Sequence, residues 1–323
     1  MTKKTLAKTL GINLPSPLQR LEMRSAPGNE LALYCKRDDL IHPVISGNKW
    51  RKLSGNLQRI LQTSGCDGSN EIRNSVHIGS FGGAYSNHLH ALAFACFSLG
   101  IPCTAFVRTH PNSPPTPTLE DMHRWNCRIH FLSREEYRKR TDINFVNALL
   151  KAHSLSHMIE EGGSNSDALS GVGEIVSEVL AQSEQPFDSI VLPVASGGTI
   201  AGIIKAIRQR NITAKVIGIA VLKGERYLES MVNNLLDECQ TQSSWKILHE
   251  PKFHCGGYAK INSEILNFSI EFEQSQGFAL DHVYNAKSFF ALNQLLMQKS
   301  PLLGKRAIIL NTGGMQGNRG KIE

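Results

Sequence analysis

The sequence predicts an α/β fold with largely parallel sheets. Short apolar runs typical of buried strands alternate with helical patterns along the 323 residues, and glycine-rich loops follow two of these runs. Sites in such folds lie at the carboxyl ends of the strands. The strand-like runs occupy residues 76–78, 104–107, 129–132, 189–194, 216–220 and 307–310.

The first candidate site is a lysine at the start of a predicted helix. Residues 50–61 carry apolar side chains at helical spacing, and a Ser-Gly-Asn turn at 46–48 precedes Lys49. A helix start offers an anionic ligand free N–H donors and a favourable dipole. Lys49 is therefore a candidate catalytic amine, although the chain has 35 Lys and Arg residues and any one of them alone is expected to be solvated.

Two glycine-rich loops supply further candidates. Residues 77–88 run from a short strand ending at 78 into an apolar helix at about 89–99, and Ser86 and Asn87 can cap this helix or bind a ligand. Residues 188–202 run from a buried strand through Ser196-Gly197-Gly198-Thr199 into another apolar helix.

The second loop has the chemistry of a phosphate site. Its glycines permit close backbone approach, and its N–H groups and hydroxyls can hold a phosphate dianion. It matches neither the Walker pattern nor the Gly-x-Gly-x-x-Gly dinucleotide pattern. The alternative is a tight strand-to-helix turn without a ligand.

A lysine amine, a phosphate loop and a Ser-Asn loop together indicate pyridoxal 5'-phosphate. The aldehyde of this cofactor forms a Schiff base with lysine, and its phosphate needs a nest of donors. Two other classes stay open: a protein that binds this cofactor with little catalysis, and a nucleotide-binding or basic interaction protein.

The chain resembles the fold-type II pyridoxal-phosphate enzymes of the D-cysteine desulfhydrase and 1-aminocyclopropane-1-carboxylate (ACC) deaminase family. Eight motifs occur in the family's order: Ser16-Pro17-Leu18, Lys36-Arg37-Asp38-Asp39, Gly47-Asn48-Lys49 followed by Arg51-Lys52-Leu53, Ser86-Asn87-His88, Glu161-Gly162-Gly163-Ser164-Asn165, Ser196-Gly197-Gly198-Thr199, Val283-Tyr284 and Thr312-Gly313-Gly314.

The resemblance implies two open three-layer αβα domains with mainly parallel twisted sheets, as in the tryptophan-synthase-β-like fold. A smaller domain at residues 47–155 would close over the cofactor. Residues 1–46 and 156–323 would build the larger, cofactor-binding domain. The site would lie in the cleft between them, and a homodimer is expected.

The resemblance also implies roles for single residues. Lys49 would carry the Schiff base and shuttle a proton, whereas Lys52, the rival lysine, would be structural. Asn87 would hydrogen-bond the ring hydroxyl of the cofactor. Ser86, with neighbouring backbone amides, would receive the substrate carboxylate. The phosphate would be bound by Ser196, Gly197, Gly198 and Thr199.

Two tyrosines complete the implied site. Tyr284 matches an active-site tyrosine of the family, and Tyr258 matches a second. Either phenol can assist proton transfer if the charge of the cofactor lowers its pKa. The alternative is ordinary packing, because a tyrosine with a satisfied hydroxyl is a common core residue.

Two positions bear on the substrate. By resemblance, ACC deaminases have an acidic residue after the tyrosine of the Val-Tyr motif and a leucine before the final Gly-Gly, where this chain has Asn285 and Thr312. The desulfhydrase branch has threonine at the second position, with its hydroxyl reaching the pyridine nitrogen. Thr312 therefore favours β-elimination, because a hydroxyl suits a reaction with a good leaving group. Asn285 departs from both branches.

The expected reaction is the β-elimination of D-cysteine to pyruvate, ammonia and hydrogen sulfide, with Lys49 removing the Cα proton. The alternative is deamination of ACC to 2-oxobutanoate and ammonia. The stereochemistry of the substrate stays open.

Composition and residue spacing give no indication of a membrane protein, an exported protein, a nucleic-acid-binding protein or a metal-binding protein. No apolar run approaches the length of a membrane span, the amino terminus lacks an apolar signal core, and the seven cysteines are scattered, which favours a cytoplasmic protein with reduced thiols and no membrane partner. The net charge of +7 comes from dispersed Lys and Arg, so no nucleic-acid partner is expected. The spacing of His88, His90 and Cys96 matches no zinc motif, so no metal is expected.

Overall fold

A computed structural model describes residues 1–28, 30–64, 76–110, 112–224, 226–236 and 244–320. The helices are α1 (Lys3–Thr9), α2 (Asn48–Thr63), α3 (Asn87–Leu99), α4 (Pro117–Arg124), α5 (Arg134–Arg138), α6 (Ile143–Ala152), α7 (Ser166–Gln182), α8 (Gly198–Gln209), α9 (Tyr227–Leu236), α10 (Pro251–His254), α11 (Ser263–Gln276) and α12 (Asn285–Met297). The strands are β1 (Leu18–Leu21), β2 (Ala32–Arg37), β3 (Ile78–Gly83), β4 (Cys103–Arg108), β5 (Arg128–Leu132), β6 (His157–Ile159), β7 (Ser189–Val194), β8 (Lys215–Ala220), β9 (Trp245–Leu248) and β10 (Arg306–Asn311). Short 3₁₀ helices span Asp38–Leu40, Glu161–Gly163 and Met315–Arg319.

The larger sheet has six strands in the order β1-β2-β10-β7-β8-β9. Only the β1–β2 pair is antiparallel in this order. Apolar side chains of β7 alternate between two cores: Ile190 and Leu192 pack with α7, α8 and α9, whereas Val191 packs with α10, α11 and α12. Because side chains of a strand point to alternate faces, helices cover this sheet on both sides.

The smaller sheet is parallel and has the strand order β5-β4-β3-β6. One face packs against α2, α3 and α4, and α1 joins the same core through Leu6. The other face packs against α5 and α6 around Phe81 and Phe106. The predicted fold of two αβα domains with mainly parallel sheets is therefore confirmed.

The position of β6 bears on the domain boundary. β6 pairs with β3 through Ser80 and Ile159, so the smaller sheet continues past residue 155, where the sequence predicted its end. We propose a boundary after Ile159 instead. A three-residue strand gives too weak a periodic signal for its sheet to be assigned from sequence.

The strand β3 also differs from its prediction. The sequence predicted a strand ending at residue 78 and then a loop, whereas the strand runs from Ile78 to Gly83. A Cβ atom at Gly79 would lie 2.6 Å from Leu155 Cδ1, so the glycine lets Leu155 pack closely against the strand.

Helix α2, which carries Lys49, is held against α7 by close backbone contact. A Cβ at Gly55 would lie 2.0 Å from the carbonyl oxygen of Asp167, and one at Gly171 would lie 2.1 Å from that of Arg51. The Arg51 guanidinium is fully buried between Asp38 at 2.8 Å and Glu178 at 2.6 Å. These contacts fix the start of α2, because a buried ion pair tolerates little displacement.

None of the helices in the described ranges is long and apolar enough to cross a membrane.

Candidate functional site

A cavity of about 930 Å³ lies where the loops after the strands of both sheets meet. The predicted site residues that line it are Lys49, Ser86, Asn87, Ser196, Gly197, Thr199, Tyr258, Tyr284 and Thr312. Gly198 begins α8 just behind this lining. The structure therefore brings together residues from six separate parts of the sequence.

The amine of Lys49 faces this cavity from the first turn of α2. Its Nζ donates to the Asn48 side-chain oxygen and lies 5.8 Å from the centre of the Tyr284 ring. Burial lowers the pKa of this amine to about 8, against a smaller opposing effect of Asp281. Lys49 is therefore largely uncharged at mildly alkaline pH, which a nucleophile or general base requires.

Gly47 allows α2 to begin where it does. Its φ is +62°, and a Cβ there would lie 1.8 Å from the carbonyl oxygen of Thr312. The backbone N–H of Asn48 donates to that same oxygen. The turn before Lys49 is thus fastened to the loop after β10, which also faces the cavity.

A cradle of hydrogen-bond donors surrounds the start of α8. The N-cap is Gly197, which has a φ of +74° and no side chain to cap the first-turn N–H groups. Asn48 Nδ2 donates to Thr199 Oγ1 at 3.0 Å, and the hydroxyls of Ser164 and Ser196 lie 2.8 Å apart. Such a loop suits a phosphate dianion.

Lys52, for which the sequence predicted a structural role, lies within this cradle. Its Nζ donates to Ser164 Oγ at 2.9 Å, Ser196 Oγ at 3.1 Å and the Gly162 carbonyl at 3.2 Å. Burial, together with the charge of Lys49, lowers the pKa of this amine well below its usual value. The signal that could have placed it is its spacing, because residues three apart share one face of a helix.

These groups fit pyridoxal 5'-phosphate. An amine that is easily deprotonated suits the aldehyde, and the cradle with Lys52 suits the phosphate. A Cβ at Gly198 would lie 2.7 Å from Ser164 Oγ and 3.2 Å from Lys52 Cε, so the glycine leaves room for these donors. Lys49, Lys52 and the Ser196–Thr199 loop would hold the cofactor.

Ser86 and Asn87 begin α3 at the other side of the cavity. Ser86 Oγ accepts from Leu89 N at 3.2 Å, which leaves its own proton available to a ligand. Asn87 Oδ1 accepts from Gln316 Nε2, so its amide is oriented by the carboxyl-terminal 3₁₀ helix.

His88, the next residue of α3, adds no charge to this side of the cavity. Its Nε2 donates to Ser80 Oγ at 2.8 Å, because that hydroxyl donates onward to the Ile159 carbonyl. Burial and the charges of Lys52 and Lys49 lower the pKa of His88 to about 3, so the ring is neutral.

Tyr258 and Tyr284 form a pair with their hydroxyl oxygens 3.1 Å apart. The sequence predicts proton transfer by either phenol if the charge of the cofactor lowers its pKa. The protein itself raises the pKa of both phenols by burying them, and that of Tyr284 lies well above its usual value. Both hydroxyls therefore carry their protons at neutral pH and can act as proton donors.

Asn285 ties together the two loops that flank Tyr284 and Thr312. Its Nδ2 donates to Asp281 and to the Gly313 carbonyl, the latter at 2.8 Å. Its Oδ1 accepts from Thr312 N at 3.0 Å and from Thr312 Oγ1 at 3.3 Å. The residue that departs from both branches of the family thus positions the threonine used to choose between them.

Within the described ranges, no group of three His, Cys, Asp or Glu side chains could hold a metal ion.

Known proteins share this architecture and much of this sequence pattern. The family model described as pyridoxal-phosphate dependent enzyme matches residues 10–313. A bifunctional D-cysteine desulfhydrase/ACC deaminase from Arabidopsis thaliana is 30% identical over 329 residues, covering 96% of this chain and 79% of the relative. A putative ACC deaminase from Pyrococcus horikoshii is 27% identical, covering 88% of this chain and 85% of the relative.

A solved structure described as an ACC deaminase homologue has the same fold, with a TM-score of 0.76, 24% identity, and coverage of 97% of this chain and 95% of that one. The match to the family model spans nearly all of the described chain and includes every residue that lines the cavity. The protein belongs to the pyridoxal-phosphate-dependent enzyme family and is a cofactor-dependent enzyme of its ACC deaminase and D-cysteine desulfhydrase group.

Proposed function

We propose that this enzyme catalyses β-elimination from a small amino acid, with D-cysteine converted to pyruvate, ammonia and hydrogen sulfide. The observation that carries the choice is Thr312, which lines the cavity at a place where a carboxylate would favour ring opening and whose hydroxyl donates to the buried Asn285 Oδ1. Bound pyridoxal phosphate supplies an electron sink for the bonds at Cα.

Lys49 is proposed to remove the Cα proton. Its amine has a pKa of about 8, so it can accept a proton at mildly alkaline pH. It lies on the rigid first turn of α2, held by the Gly47 contact and by Arg51. General bases with a pKa close to the working pH are the most effective.

Ser86 is proposed to receive the substrate carboxylate. Its Oγ already accepts from Leu89 N, so its proton points elsewhere, and α3 begins immediately after it. The partial positive charge of a helix start adds to the attraction for a carboxylate.

The tyrosine pair is proposed to protonate the leaving sulfur. Tyr284 keeps its proton because burial raises its pKa well above the usual value, and its 3.1 Å contact with Tyr258 allows one hydroxyl to pass a proton to the other. Tyr258 is 46% exposed, so the pair can exchange protons with solvent between turnovers.

ACC deamination is the second candidate, because the names of the relatives described above do not separate the two activities and one of those names carries both. The test is a keto-acid assay of the purified holoenzyme with D-cysteine, L-cysteine and ACC in turn. Pyruvate and sulfide from D-cysteine support the proposal, whereas 2-oxobutanoate from ACC alone would replace it. A bound-cofactor absorbance band without turnover of any of the three would favour a protein that binds the cofactor with little catalysis.

The Lys49→Ala variant is the matched control for this assay. Its rate should fall below about a thousandth of the wild-type rate, the scale of a typical general-base contribution combined with loss of the Schiff base. A higher rate would remove Lys49 from the proposed role.

A further inference from the structure

A second cationic position lies at the outer part of the cavity. Arg108 is the last residue of β4 and pairs in register with Gly83, the last residue of β3. Adjacent strands lie about 4.8 Å apart, so Arg108 is one strand away from the loop that leads to Ser86. Its side chain is exposed and lines the cavity.

The guanidinium of Arg108 has no counter-ion among the described residues, since none of their carboxylates lies within ion-pair distance of it. It lies over the Tyr137 ring, 5.5 Å from the ring centre. This contact orients the side chain without neutralising its charge.

The neighbouring charges are already engaged with one another. Arg140 Nε donates to Glu161 Oε2 at 2.6 Å, and Tyr137 Oη donates to Glu161 Oε1 at 2.6 Å. The remaining carboxylate at this edge, Glu160, accepts from Asn165 Nδ2. Arg108 is therefore the cation of this group that remains free to bind an anion.

Arg108 also faces the space where the reaction would occur. Arg108 and Tyr258 both line the cavity that Lys49 and Ser86 face. The cavity of about 930 Å³ is near the upper end of the usual ligand-site range of roughly 300–1,000 Å³. It has room for an amino acid larger than cysteine beside a cofactor.

From this geometry we infer that Arg108 binds a negatively charged group on the leaving group of the substrate, so that the enzyme prefers amino acids whose β-substituent ends in an anion. The inference rests on the proposed β-elimination. Ser86 would hold the α-carboxylate and Arg108 the second anion. D-Cysteine, whose β-substituent is a thiol that stays mostly protonated at neutral pH, would leave Arg108 without an anionic partner.

The reaction balances without any further co-reactant. The Cα–H and Cβ–S bonds break, Lys49 takes the Cα proton, and the sulfur leaves with its electron pair and takes a proton from the tyrosine pair, which regains one from solvent. One water converts the remaining three carbons and the amino group to pyruvate and ammonia. With S-carboxymethyl-D-cysteine the departing thiol is thioglycolate.

Two isosteric compounds test the inference: S-carboxymethyl-D-cysteine and S-carbamoylmethyl-D-cysteine. They differ in a carboxylate against a neutral amide. For wild-type, Arg108→Gln, Arg108→Lys and Arg128→Gln holoenzymes, one measures kcat/KM from pyruvate release and the dissociation constant from the change in cofactor absorbance. Arg128 is an exposed arginine at the opposite end of the neighbouring strand β5 and does not line the cavity, so it controls for net charge.

The wild-type enzyme should prefer the carboxylate compound, and Arg108→Gln should lower kcat/KM for it by about 10- to 100-fold, the scale of one hydrogen bond to a charged group. The same variant should change the amide compound by less than about 3-fold, Arg108→Lys should be intermediate, and Arg128→Gln should match wild type.

Three results would overturn the inference: no wild-type preference, equal losses for both compounds in Arg108→Gln, or no binding of either compound. Equal losses would mean that Arg108 binds the α-carboxylate or supports the fold. If neither these compounds nor D-cysteine yields a keto acid, the proposed reaction fails. The ratio of the two dissociation constants then still decides whether Arg108 recognises an anion.

Discussion

Replacing Lys52 with methionine should weaken cofactor binding without destabilising the cofactor-free protein. Lys52 is 3% exposed, and its amine has hydroxyl and carbonyl partners but no carboxylate among them. Burial and the nearby Lys49 lower its pKa well below the usual value, so its charge is poorly stabilised until an anion arrives. A phosphate dianion is the anion that the cradle suits.

The magnitude follows from the contacts. Loss of one hydrogen bond from an ammonium to phosphate costs about 1.5–3 kcal/mol, which is roughly a 10- to 100-fold rise in the dissociation constant. In the cofactor-free protein, the Ser164 and Ser196 hydroxyls still bond to each other at 2.8 Å when the amine is absent. Methionine keeps the length of the side chain, so the melting temperature should not fall.

The assay is a titration of the cofactor-free protein with pyridoxal phosphate, read from absorbance, together with a thermal melt of the same sample. Lys205→Met is the matched control, because Lys205 is an exposed lysine on α8, the helix that the phosphate loop begins. It should bind the cofactor as wild type does.

Two results would refute the reasoning. Wild-type affinity in Lys52→Met would remove Lys52 from the phosphate site. A large fall in melting temperature with little change in affinity would restore the structural role that the sequence predicted.

Three further predictions concern the amine of Lys49, the hydrogen bonds of Asn285 and the packing of Gly55 against α7. Reconstitution of the cofactor-free enzyme should accelerate with pH and level off above about 8, since the pKa of Lys49 is lowered to about 8 and only the neutral amine attacks the aldehyde; a rate still rising towards pH 10.5 would contradict the burial of this group. Asn285→Ala should lower the free energy of unfolding by about 2–4 kcal/mol, because buried groups of Asp281, Thr312 and Gly313 lose a partner. A urea titration in which the free energy of unfolding falls by less than about 1 kcal/mol would contradict that. Gly55→Ala should lower the free energy of unfolding by about 1–3 kcal/mol in the same titration, because the new Cβ would lie 2.0 Å from the Asp167 carbonyl oxygen. In most helices this change stabilises the protein by up to about 1 kcal/mol, and that result here would show that α2 and α7 can move apart.

The parts of the fold that could be predicted are those with a strong local pattern. The strand at 189–194 was predicted with its observed bounds, because it is a continuous apolar run between a polar segment and glycines. The strand β3 was predicted too short, because its glycines look like a loop until the packing of Leu155 against Gly79 is known. Close packing between distant segments leaves no local signal.

The candidate site likewise has residues that a local motif predicts and residues whose role depends on contacts between distant segments. Lys49 and the Ser196–Thr199 loop were predicted because each has a local motif at a helix start, and the structure places them around one cavity. The role of Asn285 depends on a contact with Thr312, which lies 27 residues further along the chain. The free charge of Arg108 depends on Glu161 being engaged elsewhere, which only the folded chain reveals.

The measurement that tests the proposed site most directly locates the cofactor on the chain. Borohydride reduction of the holoenzyme converts the Schiff base to a stable amine, and mass spectrometry of its peptides identifies the modified lysine. We predict the pyridoxyl group on Lys49, whose amine faces the cavity with a pKa of about 8. Modification of Lys52 would contradict the assignment of the two lysines, and no modified lysine at all would contradict Schiff-base attachment of the cofactor.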